Sequence, residues 1–348
     1  MQRKLERAGK LVGGLGSEKE RWETLCAKLE RSQGNLIGNV VLCSGAIAYQ
    51  GPFTADYRQE LTVGWATQAK QAAIACEDNF SVTGVLGDPV TIREWGVHGL
   101  PSDQLSIENA IFVTRSRRWP LMIDPQGQAN AWVKRMERDN KLSVIKLSQS
   151  DYLRKLESAI RVGLPVLLES AEEQLEPSID PVLLKQVFRQ AGRSLIRLGD
   201  TDVDYSDDFK LYITSKLANP HYPPEICIKV TIVNFTVTFS GLENQLLAEC
   251  AALERPDLEA RKESLVLTIA SGRRTMADLE NKILRMLAEA SGNILDDEAL
   301  INTLDSSKKT SSETERAVSA AEETSREIDA AREEYRPVAS RGSIIYFV

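Results

Sequence analysis

The stretch Trp119-Pro-Leu-Met-Ile-Asp-Pro-Gln-Gly-Gln-Ala-Asn-Ala131 runs from a short apolar strand through a tight turn into a helix that starts at once. That is the layout of a phosphate-binding loop, G-x-x-x-x-G-K-[ST]. In such a loop the glycines let backbone N–H groups close on phosphate oxygens, the Lys neutralises the outer phosphates, and the hydroxyl binds Mg²⁺. Laid on that template, Asp124 stands at the first glycine, Ala129 at the second, Asn130 at the lysine and Ala131 at the hydroxyl. Pro125, Gln126, Gly127 and Gln128 fill the interval, and Gly127 alone keeps glycine's freedom. A carboxylate points where phosphate charge would sit, so the stretch reads as a loop that kept its layout and lost its ligand. The competing reading is plain: a strand, a Pro-Gly turn and a helix occur in any α/β protein.

Downstream the chain alternates strand and helix. Leu121–Ile123, Leu142–Leu147 and Leu164–Glu169 read as strands, and 128–139, 151–161 and 180–190 as helices between and after them. Residues 194–205, with Gly199-Asp200 in the middle, read as a hairpin; Phe209–Thr214 and Val230–Val237 are further strands. Strands separated by helices of this length predict a parallel sheet covered on both faces. If Leu121–Ile123 opens an ATPase core, a later strand should end in Asp to hold Mg²⁺, then Glu to activate water. The strand at Leu164 ends instead in Glu169 followed by Ser170. Thr214 takes a sensor-like position, and Lys229 stands where a finger-like Arg is expected, without the bidentate fork. Three elements fall in the right order and each has lost chemical groups. No catalytic residue and no metal ligand is assigned; the structural reading makes Asp124 and Glu169 strand-end carboxylates capping neighbouring helices.

Before this core, residues 1–31 carry a helical stripe (Leu5, Ala8, Val12, Leu15, Lys19, Trp22, Cys26, Leu29) with coiled-coil spacing, weakened by Gly9, Gly13, Gly14 and Gly16. Asn39–Tyr49 reads as a small apolar segment, Phe53–Cys76 as a helix or two, and Ser102 as the cap of a helix ending at Arg115. After Gly241 the period changes. Leu258, Leu265, Ile269, Gly272, Met276, Leu279 and Ile283 form one seam, Ser291-Gly292-Asn293 breaks it, and Leu304, Ser307, Ser311, Thr314, Val318, Ala321, Ser325 and Ile328 form the return, stopped by Pro337. This predicts an antiparallel helical hairpin with arms of roughly 50 Å and a small, polar seam. The expected division is 1–33, the end of a coiled-coil helix; 34–243, the α/β core; 244–335, the hairpin; and 336–348, a tail that is strand-like or helical.

Composition removes several classes. A net charge of −7, from 43 basic and 50 acidic side chains, opposes nucleic-acid binding, which needs a basic face. Charge-free runs are too short and polar to cross a bilayer, and no apolar segment follows the basic N-terminus. The five cysteines have no metal-site or redox spacing, which predicts a reducing compartment. Two histidines are too few for a histidine metal site, and the acids between Asp200 and Asp208 lack the Gly and final Glu of a calcium loop. A chain that starts in mid-helix and ends on Ile344-Ile-Tyr-Phe-Val348 is expected to be part of something larger.

Arg118-Trp-Pro-Leu-Met-Ile-Asp-Pro-Gln-Gly-Gln-Ala-Asn130, Gly99-Leu-Pro-Ser-Asp103, Asn219-Pro-His-Tyr-Pro-Pro224, Glu254-Arg-Pro-Asp-Leu258 and Gly292-Asn-Ile-Leu-Asp-Asp-Glu298 together resemble the dynein heavy-chain family. The resemblance covers essentially the whole chain and is to the fifth of the family's six AAA+ (P-loop NTPase-like) modules. It implies that residues 1–33 are the base of the returning stalk helix, 34–243 a degenerate AAA+ large domain, 244–335 the strut that braces the stalk coiled coil, and 336–348 the start of the small lid or the link to the next module. It further implies a module that holds no nucleotide, with ATP and Mg²⁺ in other modules of the parent chain. Its partners would be the neighbouring modules, the stalk and, indirectly, microtubules. The wording of Arg117–Asp124 and Tyr335–Ala339 is similar to axonemal members, which implies a ciliary or flagellar axoneme. The rival expectation is an active P-loop ATPase with a divergent loop.

Overall fold

The structure, a computed structural model, describes residues 2–289 and 298–348; side chains are described from Trp22 onward, apart from part of the two long C-terminal helices. The expected seam positions from Leu5 to Lys19, the break at Ser291-Gly292-Asn293 and the seam side chains at Leu258, Ile283, Leu304 and Ser307 lie outside the described residues or side chains. The chain divides into two compact units. One holds Asn35–Gln245; the other holds the chain up to Gly34 together with Leu246–Tyr346.

Helix α1 spans Gln2–Gly45 and runs on as one π-helical turn, Ala46–Gln50. The apolar segment expected at Asn39–Tyr49 is therefore the end of this helix. Its buried positions Asn39, Leu42, Cys43, Ala46 and Gln50 keep a three–four spacing along one face. Then come α2 (Ala55–Gln71), α3 (Val82–Leu86), α4 (Pro89–Val97) and α5 (Gln104–Arg115). Helix α5 is capped by Asp103, one residue past the expected Ser102: its carboxylate accepts the Ser106 backbone N–H at 3.1 Å and the Ser106 hydroxyl at 2.8 Å.

The core elements follow in chain order as β1 (Trp119–Ile123), α6 (Gln128–Met136), β2 (Ser143–Ile145), α7 (Tyr152–Val162) and β3 (Pro165–Leu168). After them come α8 (Asp180–Leu183), β4 (Val187–Gln190), β5 (Arg193–Leu198), β6 (Thr201–Asp204), β7 (Lys210–Ser215), α9 (Pro224–Cys227) and β8 (Val230–Asn234). Five strands form one parallel sheet in the order β2-β3-β7-β1-β8. Side chains alternate across it. Leu121, Val166, Leu168, Leu211 and Ile213 face α7 and α8, while Met122, Leu167, Tyr212 and Val233 face α5 and α6. Both faces are covered, which is why these strands read as unbroken apolar runs. This is the expected AAA+-like α/β sheet.

The helix expected over 180–190 is a correction. Only Asp180–Leu183 is helical, because Lys185 turns to φ +50° and Val187-Phe188 favour strand. Ala191 and Gly192, at φ +50° and +78°, make the two-residue turn that pairs β4 with β5. The expected hairpin over 194–205 is β5–β6, so β4-β5-β6 is a three-stranded antiparallel sheet lying in the chain between β3 and β7.

The remaining helices are α10 (Phe239–Glu254), α11 (Pro256–Glu289), α12 (Glu298–Arg332) and α13 (Arg336–Phe347). Helices α11 and α12 pack antiparallel: Lys262 pairs with Asp329 at 2.5 Å, and farther out Gly272 lies against Val318 and Thr314. Ser311, Val318, Ala321 and Ile328, all on the expected seam, are buried. Pro337 does not end the helical path. A short 3₁₀ turn, Glu333–Tyr335, leads into α13, where Pro337 sits in the first turn and its missing N–H leaves no bond unmade. The tail is thus helical.

Helix α6 is locked to β7 by Glu137, which is 2% exposed. Its Oε1 accepts the Tyr212 hydroxyl at 2.7 Å and Lys210 Nζ at 3.2 Å, and its Oε2 accepts Asn140 Nδ2 at 2.6 Å. Burial pushes the Glu137 pKa up, but these three partners outweigh it and hold the carboxyl below its ordinary value. Because the folded pKa is depressed, the cluster stabilises the fold above the unfolded value near 4.5 and loses that contribution as pH falls through the folded value. Tyr212→Phe should cost about 1.5–3 kcal/mol at neutral pH, the worth of a hydrogen bond to a charged group, and should bring acid destabilisation on at higher pH. Urea unfolding of the chain at pH 7, 5 and 4 checks both.

Candidate functional site

The C-terminal ends of β1, β3 and β7 meet on one edge of the sheet, since Ile123 is in register with Ser215 and Leu168 with Ile213. In open α/β sheets that edge is where ligands bind. The structure brings Asp124, the loop Pro125–Gln128, Asn130, Glu169 and Thr214 together there.

Asp124 follows β1 and is 2% exposed, with its own N–H donated to the Ser215 carbonyl at 2.8 Å. The chain then turns on Gly127, whose φ of +78° is left-handed and allows α6 to begin at Gln128. The first N–H groups of any helix lack intrahelical acceptors. Here the acceptor is Asp124: Oδ2 takes the Asn130 N–H at 2.8 Å, and the amides of Ala129, Gln128 and Gly127 also favour its ionised form. Burial acts the other way and is the larger effect, so the carboxyl sits above its ordinary pKa. A phosphate oxygen placed on these amides would meet a carboxylate already there.

Asn130 reaches into the same edge. Its Nδ2 donates to Glu169 Oε1 at 2.9 Å and to Thr214 Oγ1 at 3.3 Å, joining the lysine, strand-end and sensor-like positions in one contact. Glu169 is further paired with Lys134 at 2.5 Å and lies 3.9 Å from Lys146. Burial raises its pKa, but Lys134, Asn130 and Lys146 together bring it below the ordinary value, so it is an ionised and neutralised carboxylate. The sequence reading missed Lys134, although it lies one helical turn beyond Asn130 and must share its face. Ser170, next to Glu169, holds φ +56°, a strained conformation for a residue with a side chain. Beyond it Ala171 donates its N–H to the Thr214 carbonyl at 2.9 Å, and buried Ser215 donates its hydroxyl to the Ala171 carbonyl at 2.7 Å. Gln128 donates to Gln245 at 2.8 Å, and Gln245 to Asp103 at 3.3 Å, bridging the small polar cleft beside the loop. Ala129 is buried in the core and Ala131 brings no hydroxyl.

Lys229 is not brought to this edge. It precedes β8, at the opposite end of the strands, where Trp119 is in register with Val230. Its Nζ bonds both Asp180 oxygens at 2.8 Å, an ion pair that engages the cation within the chain. Among the described residues there is no group of three or more acidic, histidine or cysteine side chains placed to hold a metal ion, and no helix is long and apolar enough to cross a membrane.

Removing the acceptor tests the self-capped loop. Asp124→Ala should cost about 1–3 kcal/mol in denaturant unfolding, the penalty for orphaning the Asn130 N–H. It should not by itself create nucleotide affinity, because Asn130 supplies no charge.

Two family models match the chain: the ATP-binding dynein motor region over residues 93–314, and the microtubule-binding stalk of the dynein motor over residues 1–67. Among similar proteins are dynein axonemal heavy chain 6 of Homo sapiens, 50% identical over 345 residues, and dynein axonemal heavy chain 2 of Mus musculus, 48% identical over 349 residues. The dynein-1-beta heavy chain of the flagellar inner arm I1 complex of Chlamydomonas reinhardtii is 48% identical over 350 residues. Each match takes in 99% or 100% of this chain and spans 8% of the relative's length.

Proposed function

This chain belongs to the dynein heavy-chain motor family, and from that premise we propose that it is the fifth AAA+ module of the motor ring, a relay that moves without turning over nucleotide. The parent would be an ATP-driven microtubule motor of the ciliary or flagellar axoneme. Its ATP and Mg²⁺ would be handled by other modules, while this one passes ring motion to the stalk. The observation that carries the reading is the Asp124 carboxylate accepting the Asn130 N–H in the first turn of α6, with Asn130 where a lysine would neutralise phosphate. A triphosphate does not fit that arrangement: its charge would face a buried carboxylate and find no free cation from the loop.

The antiparallel pair α11–α12 supports the second half of the proposal. A pair of long helices transmits axial force, and a seam of Ser311, Thr314 and Ser325 with Gly272 opposite Val318 brings the backbones close. The stalk would be engaged through this strut, with neighbouring modules as further partners and microtubules reached only indirectly; neither nucleic acid nor membrane enters. Coupling of this kind requires a packed element with two arrangements.

Two measurements test the reading. In the full heavy-chain motor, deleting Asp257–Glu334 should abolish the change in microtubule affinity between nucleotide states; an unchanged response would sink the relay. Mg²⁺-ATP titrated into this chain should show no saturable binding below about millimolar concentration. Saturable binding in that range would make the divergent loop an active nucleotide site.

A further inference from the structure

Within the unit that holds Asn35–Gln245, the end of helix α1 is docked twice. At Gly38 the backbone passes so close to residue 75 that an added Cβ would lie 2.2 Å from the Ala75 carbonyl oxygen, and Asn39 Oδ1 accepts the Glu77 N–H at 3.0 Å. Farther on, the carbonyls at the end of the helical path are gripped by one guanidinium. Arg58, 2% exposed, donates Nε to the carbonyls of Gln50 (3.0 Å) and Phe53 (3.1 Å), and Nη2 to Gly51 (2.9 Å) and to Asn109 Oδ1 (2.6 Å). Its Nη1 faces Glu108 at 3.5 Å, and its plane lies over Phe112, 4.9 Å from the ring centre. Burial lowers its pKa to about 10, so it stays charged at neutral pH.

The grip is fastened to the sheet. Asn109 Nδ2 donates to the Asn234 carbonyl at 2.7 Å, and the Asn234 N–H returns to the Gly51 carbonyl at 2.9 Å, so the end of α1 is tied to the end of β8, the strand beside β1. Between the two docking points lies the π-turn Ala46–Gln50. A π-turn holds one residue more than the α-helical turn it replaces; such turns are rare and are frequently found at functional sites. Both ends of this segment are pinned, one at Gly38-Asn39 and one at Arg58, and the segment carries one residue in excess.

We propose that Ala46–Gln50 is a register reserve: when α1 is displaced along its axis, the extra residue passes between π and α form while Arg58 keeps the end of the helix on the sheet. One residue corresponds to about 1.5 Å of axial travel with a rotation of about a quarter turn. The exposed positions Leu36, Ile37, Val40 and Val41 share one face and turn together in that step. The inference rests on the relay reading, and names the element of this module that has two arrangements.

The test uses the intact heavy-chain motor. Amide exchange is followed in a peptide covering Ala46–Gln50, without nucleotide and with ATP plus vanadate, using Tyr152–Val162 as the internal reference. The expected result is a change of about tenfold at 46–50, equivalent to ~1.4 kcal/mol in local opening, with none in the reference helix. Deleting Ala48 should convert the turn to α-helix, remove that difference and flatten the nucleotide response of microtubule affinity. Arg58→Lys, which keeps the charge and loses the fork, should speed exchange at 46–50 in both states. Equal exchange at 46–50 in the two states of the unaltered motor overturns the proposal without needing any variant. A nucleotide response that survives deletion of Ala48 overturns it as well, and leaves the relay standing if removal of Asp257–Glu334 still abolishes that response.

Discussion

A helix that begins directly after a buried strand must find acceptors for its first N–H groups, and at α6 the chain itself supplies one for Asn130. Asp124 supplies the acceptor, and the rest of the edge follows from where that places α6. With its first turn held on Asp124, Asn130 falls between Glu169 and Thr214, so three strands are closed over one another by side chains. Lower on the same helix, Glu137 fixes its far end to Tyr212 and Lys210. Helix α6 is therefore fastened to β7 at both ends by side chains. In this loop a residue of the chain, Asp124, stands as acceptor at the start of the helix.

The same economy governs the other charges of the site. Glu169 is answered by Lys134, Lys146 and Asn130, and Lys229 by both oxygens of Asp180. The groups that catalysis would leave uncompensated are neutralised locally, and burying a compensated pair is far less costly than burying a lone charge. Ser170 keeps a strained backbone immediately after the strand-end carboxylate. A sheet stitched in this way suits a rigid body, which is the mechanical requirement of the role proposed for it.

Much of this was legible in the residues. Apolar runs separated by helical periods announced the parallel sheet, and the seam spacing announced the helix pair, because both patterns follow from backbone geometry alone. By analogy with a phosphate loop the sequence groups Asp124, Asn130, Glu169 and Thr214 with Lys229; the first four meet on one edge, while Lys229 lies at the other end of the strands on Asp180. Lys134 escaped notice although helical spacing puts it beside Asn130. The strand β4 was read as helix because Val182 to Val187 spaces its apolar residues ambiguously, and the turn at Ala191-Gly192 that decides the matter depends on an alanine at positive φ, which no propensity favours. Arg58 could not have been found from sequence at all. Its partners are backbone carbonyls and an asparagine on another helix, brought together by tertiary packing that leaves no local signature.

The order of strands also bears on how the chain is made. β1 and β8 are neighbours, yet Trp119 waits for Val230 before it gains its partner. The whole antiparallel sheet β4-β5-β6 must be synthesised in the interval. Closing so wide a loop is slow, and until it closes one side of this fully buried strand offers open backbone to its surroundings. A ribosome adding residues at about 5–20 per second would hold the nascent chain in that vulnerable form for seconds, a window in which holdase chaperones have every reason to act.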